Sequence, residues 1–236
     1  MQKFLMPVLL GAALLAAPTA FAQSAVAVAK RPAKVNAKAN AKAAAKATRK
    51  ADKAMPDATA TYKLQPQLST LGWAGKAVTH GHEGTMQFAG GELSTTNGQL
   101  TGGTVTVDMK TMKATDIKDA EKHAQFVGHM SNDDFFMCEK YPTATFKIGS
   151  ITPIKGAAAE ANNATISGEM TIRDITQRIS FPAKVGAKNG VAAASGTVVI
   201  DRTKFGLKYG SKSFFASLGD KAINDEFTLS FNVIAK

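Results

Sequence analysis

From residue 61 onward the chain alternates apolar and polar side chains with a period of two, and this restricts it to a sheet protein. Phe227, Leu229, Phe231 and Val233 alternate with Glu226, Thr228, Ser230 and Asn232. Ile166, Gly168, Met170 and Ile172 alternate with Thr165, Ser167, Glu169 and Thr171, and Ile179, Phe181, Ala183 and Val185 keep the same step. Pro182 inside that last run marks a strand edge or a bulge, since proline has no N–H to give to a ladder. Further strands are predicted over residues 61–64, 71–78, 85–93, 100–108, 144–151 and 194–201. Gly90-Gly91, Asn97-Gly98, Asn162-Asn163 and Asn189-Gly190 supply turn chemistry between strands. Some nine strands with one wet and one dry face make a barrel or a sandwich. The dry residues are often modest in size (Ala, Val, Met, Gly), which favours a hollow barrel.

One segment breaks the rhythm. Residues 119–130 predict a short helix capped by Asp119, with Ala120, Ala124, Val127 and Phe126 able to share a face.

The first 60 residues have a different character. Lys3 precedes an apolar run to Ala17, and Ala20-Phe21-Ala22 offers a small-x-small cleavage pattern. Residues 1–22 therefore predict a secretion signal, leaving Gln23 as the new terminus, with a run too short to span a bilayer comfortably. Residues 23–58 are an Ala/Lys tract in which Lys30, Lys34, Lys38, Lys42, Lys46 and Lys50 recur every four residues. It carries no apolar side chain large enough to dock on a core, so it predicts a solvated tether. Its charge also suits contact with an anionic envelope surface. Residues 59–236 form the predicted domain.

Mapping the net charge of +11 matters. Residues 1–60 hold +8, with ten Lys/Arg against two Asp, so the remainder is close to neutral. The folded part is not a nucleic-acid-binding domain by charge. A single cysteine, Cys138, allows no internal disulfide and no multi-cysteine metal site, so folding rests on a buried core.

Catalytic patterns are scarce. The chain has no G-x-S-x-G elbow, no H-E-x-x-H and no phosphate-binding loop. His80 and His82 share one side of a strand, but no carboxylate or third histidine stands at a metal-ligand spacing. A surface or turn role is favoured for them, and no metal site or catalytic residue is assigned. Asp133-Asp134 reads as a turn before Phe135-Phe136. Arg202, at a strand end, reads first as a solvated rim residue and second as a hook for a ligand headgroup.

Several segments together resemble a known family. His129-Met130-Ser131-Asn132-Asp133-Asp134-Phe135-Phe136, followed by Tyr141-Pro142-Thr143-Ala144-Thr145-Phe146, is similar to the helix-to-strand signature of the YceI-like, polyisoprenoid-binding family. Gly168-Glu169-Met170-Thr171-Ile172 with Ile175-Thr176, Ile200-Asp201-Arg202-Thr203-Lys204-Phe205-Gly206-Leu207, and the Trp73 strand with His80 or His82 and Gly84 resemble three further family segments in order. Met137-Cys138 and Arg173-Asp174 depart from the pattern, and the Ala/Lys tract is not a family feature.

The resemblance implies an all-β fold: an eight-stranded antiparallel lipocalin-like barrel with one short helix. It implies a long apolar tunnel for an isoprenoid or a similar amphiphile such as a quinone tail. Eight strands leave an interior just wide enough for one small ligand. It also implies that many members are exported and that some pair as homodimers. The expected function is a non-enzymatic, periplasmic lipid binder, with no cofactor beyond a bound isoprenoid or quinone-type lipid. The alternatives are an envelope surface protein with a cationic tail, or a quinone-dependent redox partner. The expected lining is Trp73, Met86, Phe88, Val107, Phe146, Met170, Ile172, Phe227, Leu229 and Phe231, with Val105, Ile148 and Arg202 as further candidates.

Overall fold

A computed structural model describes residues 58–236. The predicted signal and nearly all of the Ala/Lys tract lie outside the described residues. Nine antiparallel strands follow in order: β1 (Thr59–Lys63), β2 (Thr70–Ala77), β3 (Gly81–Thr96), β4 (Gln99–Ala114), β5 (Thr143–Pro153), β6 (Ala164–Ile172), β7 (Ile175–Lys188), β8 (Val191–Asp201) and β9 (Ile223–Ala235). One helix, α1 (Ala120–Ser131), interrupts them between β4 and β5. Strands β2 to β9 close into an eight-stranded barrel, because β3 pairs with both β2 and β4. All nine predicted strands are present, and the barrel is the favoured architecture.

The ninth strand does not widen the barrel. β1 pairs with the far half of β3, Leu93↔Tyr62 among others, while β2 pairs with the near half, Trp73↔Gly84 among others. Gln65 N–H donates to the Ile234 carbonyl, and Leu64 bridges Ala235 of β9. β1 and β2 thus act as one strand filling the slot between β3 and β9, broken by a 3-10 turn at Pro66–Leu68. Pro66 is the cause: its locked φ and missing N–H suit a turn better than a ladder.

Two turn assignments divide. Asn97-Gly98 and Asn189-Gly190 make the two-residue hairpins predicted for them, with both residues of each pair at positive φ. Gly90-Gly91 does not separate strands. It lies inside the 16-residue β3, where the register with β4 shifts between Phe88 and Gly90. The glycines bend a continuous strand there, as a bulge does. Pro182 behaves as predicted: ladder pairing between β7 and β8 begins just after it, at Ala183↔Gly196. Beyond that point the two strands part, and the 3-10 turn Arg202–Phe205 packs nearby, with Phe205 buried and the Lys204 carbonyl accepting from Gln177 Nε2.

α1 begins as expected, since the Asp119 carboxylate accepts from the Lys122 N–H at 2.9 Å. Its inward face keeps Phe126 and Val127 of the predicted one but not the two alanines. Ala120 and Ala124 are exposed, while His123, Phe126, Val127, His129 and Met130 are half-buried. Alanine adds little to packing, so the larger side chains turn inward. His123 Nε2 accepts from the Ala114 N–H and ties the helix to the end of β4.

Candidate ligand-binding cavity

The period-two phase of the strands decides what faces inward. On β9, Phe227, Leu229, Phe231 and Val233 point into the barrel, while Thr228 and Ser230 line a shallow groove on its outer surface. The interior holds two chambers. The inner one, about 110 Å³, is walled by side chains of β2 to β9 together with Phe136, and Thr145 is its only polar residue. The outer one, about 260 Å³, lies at the end where α1 crosses and has a mixed wall. Met86, Phe136 and Phe227 line both, so the chambers are neighbours across these three side chains.

Every residue of the expected lining falls in one chamber or both. Phe88, Val105, Val107, Phe146, Ile148, Met170, Ile172, Leu229 and Phe231 line the inner chamber, Met86 and Phe227 line both, and Trp73 lines the outer one. Phe181 and Val198 were legible from strand alternation and belong to the inner wall too. Met130 and Met112 of the outer wall were not singled out, and Phe126 was placed on a helix face but not in the lining. Their place follows from how α1 lies over the barrel, which strand periodicity does not carry.

Trp73 organises the outer chamber. Its indole lies against Gly84 on β3, where a Cβ would meet the ring at 2.7 Å and the Lys113 carbonyl oxygen at 1.7 Å. A side chain at residue 84 would displace the ring, so glycine is required there. Phe126 of α1 stacks on the indole, centroids 6.0 Å apart, and also meets the His82 ring at 4.5 Å. The Trp73 Nε1–H is buried and has no hydrogen-bond partner. A buried donor left unpaired costs about 1–3 kcal/mol.

The polar residues of this end find partners far away in sequence. His82 Nδ1 is 2.7 Å from Asp116 Oδ2, and the Glu83 N–H donates to the same carboxylate. Burial pushes the Asp116 carboxyl up, but the His82 ring and the Glu83 amide outweigh it and hold it below the ordinary carboxylate value. His80 bonds Thr79, and His129 lies 3.3 Å from Asp134. Among the described residues no group of three or more His, Cys, Asp or Glu is placed to hold a metal ion. Cys138 is buried, and desolvation pushes its thiol up, away from reactivity.

Arg202 corrects the rim reading. It lines the outer chamber but is only 5% exposed. Nε donates to the Asn224 carbonyl, Nη1 to Leu207 and Nη2 to Ile223, at 2.9, 2.7 and 3.1 Å. Asp225 Oδ1 has no hydrogen bond, yet it lies 3.6 Å from Nη2 as the ion-pair partner. The guanidinium is therefore a clamp across the connection from β8 to β9. The two departures from the family pattern also touch: Arg173 Nη2 lies against Met137 Sδ, and Arg173 Nη1 donates to the Phe135 carbonyl.

A closed eight-stranded barrel with one helix over an apolar interior defines a lipocalin-like binding fold. The model of the YceI-like domain matches residues 62–235, and the chain belongs to that family. In structure it is similar to BcnA of Burkholderia cenocepacia, with 19% identity, 73% of this chain and 99% of that one covered, and a TM-score of 0.56. It is also similar to a polyisoprenoid binding domain from Saccharophagus degradans implicated in plant cell wall breakdown, with 16% identity, coverage of 74% and 97%, and a TM-score of 0.50. At these identities the likeness concerns the fold. No curated protein is similar enough in sequence to count as a relative.

Proposed function

We propose that this protein is an exported carrier that sequesters an isoprenoid or similar long-chain amphiphile, of quinone or polyprenyl type, and makes or breaks no bond. The observation that carries this reading is the pair of adjoining chambers, a nearly all-apolar inner one behind a mixed outer one. An apolar chain partitions into the first and its headgroup stays in the second. Likeness in fold to a polyisoprenoid binding domain supports the same ligand class.

The energetics suit a chain ligand. Burying ~15–20 CH₂ groups at ~0.8 kcal/mol each gives a gross gain near ~12–16 kcal/mol. Association and chain ordering remove much of it, leaving micromolar or tighter binding. The inner chamber of about 110 Å³ is smaller than a cavity of ~150 Å³ that admits benzene, so it must open around a prenyl chain. Met86, Met109 and Met170 line it, and unbranched methionine re-packs at low cost. Trp73 of the outer wall keeps a buried, unpaired Nε1–H, which a headgroup oxygen would satisfy only if the wall opens beside the ring.

The site of action we propose is the periplasm, reached through cleavage after Ala22, with the Ala/Lys tract available to anionic envelope surfaces. The test is organic extraction of protein purified gently from its host, followed by mass spectrometry. A stoichiometric prenyl or quinone lipid is expected. A lipid-free extract, together with no uptake of an added prenyl chain, would overturn the carrier reading.

A further inference from the structure

We infer that the connection between β8 and β9 is a membrane-docking tip, which seats the open end of the barrel on an anionic bilayer. Phe214 and Phe215 are 47% and 50% exposed, side by side in this connection. Adjacent bulky apolar side chains in water mark an interaction site. Two more exposed apolar side chains stand at the same end, Tyr209 in the connection and Val78 in the β2–β3 turn. The two segments are joined, since the Val78 N–H donates to the Ala222 carbonyl at 3.0 Å.

The tip is built rather than loose. Ser211 is fully buried, and its carbonyl accepts from the amides of Phe214 and Phe215. The Ser213 hydroxyl donates to Asp225, the residue paired with Arg202, and the Gly210 carbonyl accepts from the Ile223 N–H. The Tyr209 ring packs edge-on against His129 and at a tilt against Phe135. The phenylalanines are therefore held in place before any partner arrives, which lowers the ordering cost of contact.

Charge selects the partner. Between Gly206 and Ala222 the chain carries Lys208, Lys212 and Lys221 against Asp220 alone. Lys208 Nζ sits 4.7 Å from the Phe214 ring centroid, so a cation stands beside an inserting ring. Aromatic side chains flanked by lysines suit the interface of an anionic bilayer, where rings enter the acyl boundary and ammonium groups meet phosphates. A second copy of this chain fits less well, because its own lysines would oppose these.

The docking surface stands on this geometry; its purpose, passing a lipid tail into the outer chamber without crossing water, rests on the carrier reading. The test uses the chain as its host makes it, so that the Ala/Lys tract is the same in every variant. Phe214→Trp is mixed with phosphatidylglycerol vesicles whose acyl chains carry bromine. Its emission is expected to shift to the blue and to be quenched, over the constant background of Trp73. The double variant Phe214→Ser/Phe215→Ser is expected to bind these vesicles about tenfold more weakly or worse, with its melting temperature unchanged. Unquenched emission, or vesicle binding by the double variant equal to the parent's, would overturn the inference. So would a double variant that changes only self-association in sedimentation. Lipid content is read separately by extraction: a lipid-loaded protein that fails to dock removes this inference alone, and a docking protein that never holds lipid removes the carrier reading alone.

Discussion

At one end of the barrel two of the three hairpins turn on Asn97-Gly98 and Asn189-Gly190, the third runs through residues 154–163, and the interior between them is filled with small residues. Ala164, Ala183, Ala192 and Ala235 are at most 2% exposed there, beside Leu93 at 1% and Leu64 at 5%. At the other end, β4 reaches β5 only through α1, and β8 reaches β9 through a connection that holds the phenylalanine tip and is tied by Arg202 to the start of β9. The interior there is lined by Trp73, Phe126, Met130 and three histidines, and about 260 Å³ stays open. Small side chains let the strands converge and meet, so the first end closes as a packed floor. The β4–β5 and β8–β9 connections contribute walls of their own, so the second end becomes a mouth although β6 and β7 meet there in a two-residue turn. The ladders provide the stability of the tunnel, and the loops determine what enters it.

The largest effect should come where wall and chamber meet. Leu229→Asp places a carboxylate in the inner chamber, which offers it no charged partner, and should cost on the order of 3–5 kcal/mol in chemical denaturation. Thr228→Asp, one residue away on the outer surface, should cost less than about 1 kcal/mol. Equal costs would mean that the strand phase is wrong and that floor and mouth do not share one apolar channel.

The mouth depends on its clamp. Arg202→Met keeps much of the side-chain volume but orphans three backbone carbonyls and leaves Asp225 without its cation, at a cost of roughly 3 kcal/mol. Hydrogen exchange should rise in the β8–β9 connection well before it rises at the floor. A uniform rise across both ends would dissolve the distinction.

Added volume distinguishes the two ends directly. Ala192→Leu, at 0% exposure in the floor, should cost about 1–3 kcal/mol through overpacking. Gly75→Ala, in the outer-chamber wall with nothing within 4 Å of its new Cβ, should change stability by under about 0.5 kcal/mol. Thermal or urea melts of the pair decide the matter, and a costly Gly75→Ala would show the mouth to be as tightly packed as the floor.

These contrasts also separate what the sequence makes legible from what it hides. Strand walls follow from alternation, so Leu229 against Thr228 and Ile172 against Thr171 could be phased from residue order alone. Gly90-Gly91 misled because a glycine pair serves equally as a turn or as a bend within a strand, and only the facing β4 distinguishes them. The mouth is assembled from contacts with no period. His82 meets Asp116 across 34 residues, and Arg202 meets Asn224 across 22. A charged residue at the end of a strand reads as solvated until the loop that covers it is known. The helix face was legible only in part for a related reason, since Phe126 and Val127 turn inward as predicted while Ala120 and Ala124 stay exposed and Met130 joins the contact.

The smallest expected effect probes the polar edge of the mouth by pH. Asp116 is held below its ordinary value of 3.8 by the His82 ring and the Glu83 amide, working against desolvation. A depressed carboxylate contributes stability that is present above the unfolded value and is lost as pH falls through the folded one. Asp116→Asn keeps an oxygen for the Glu83 N–H but removes the charge beside His82. Because both side chains are about 30% exposed, solvent screens the pair, and the variant should cost no more than about 0.5–1 kcal/mol at neutral pH. Urea midpoints of parent and variant, taken from pH 7 down to below 3.8, should therefore converge at the acid end of that range. A gap that stays constant with pH would locate the effect in side-chain shape instead of charge, and the polar edge of the mouth would then be packing, like the floor.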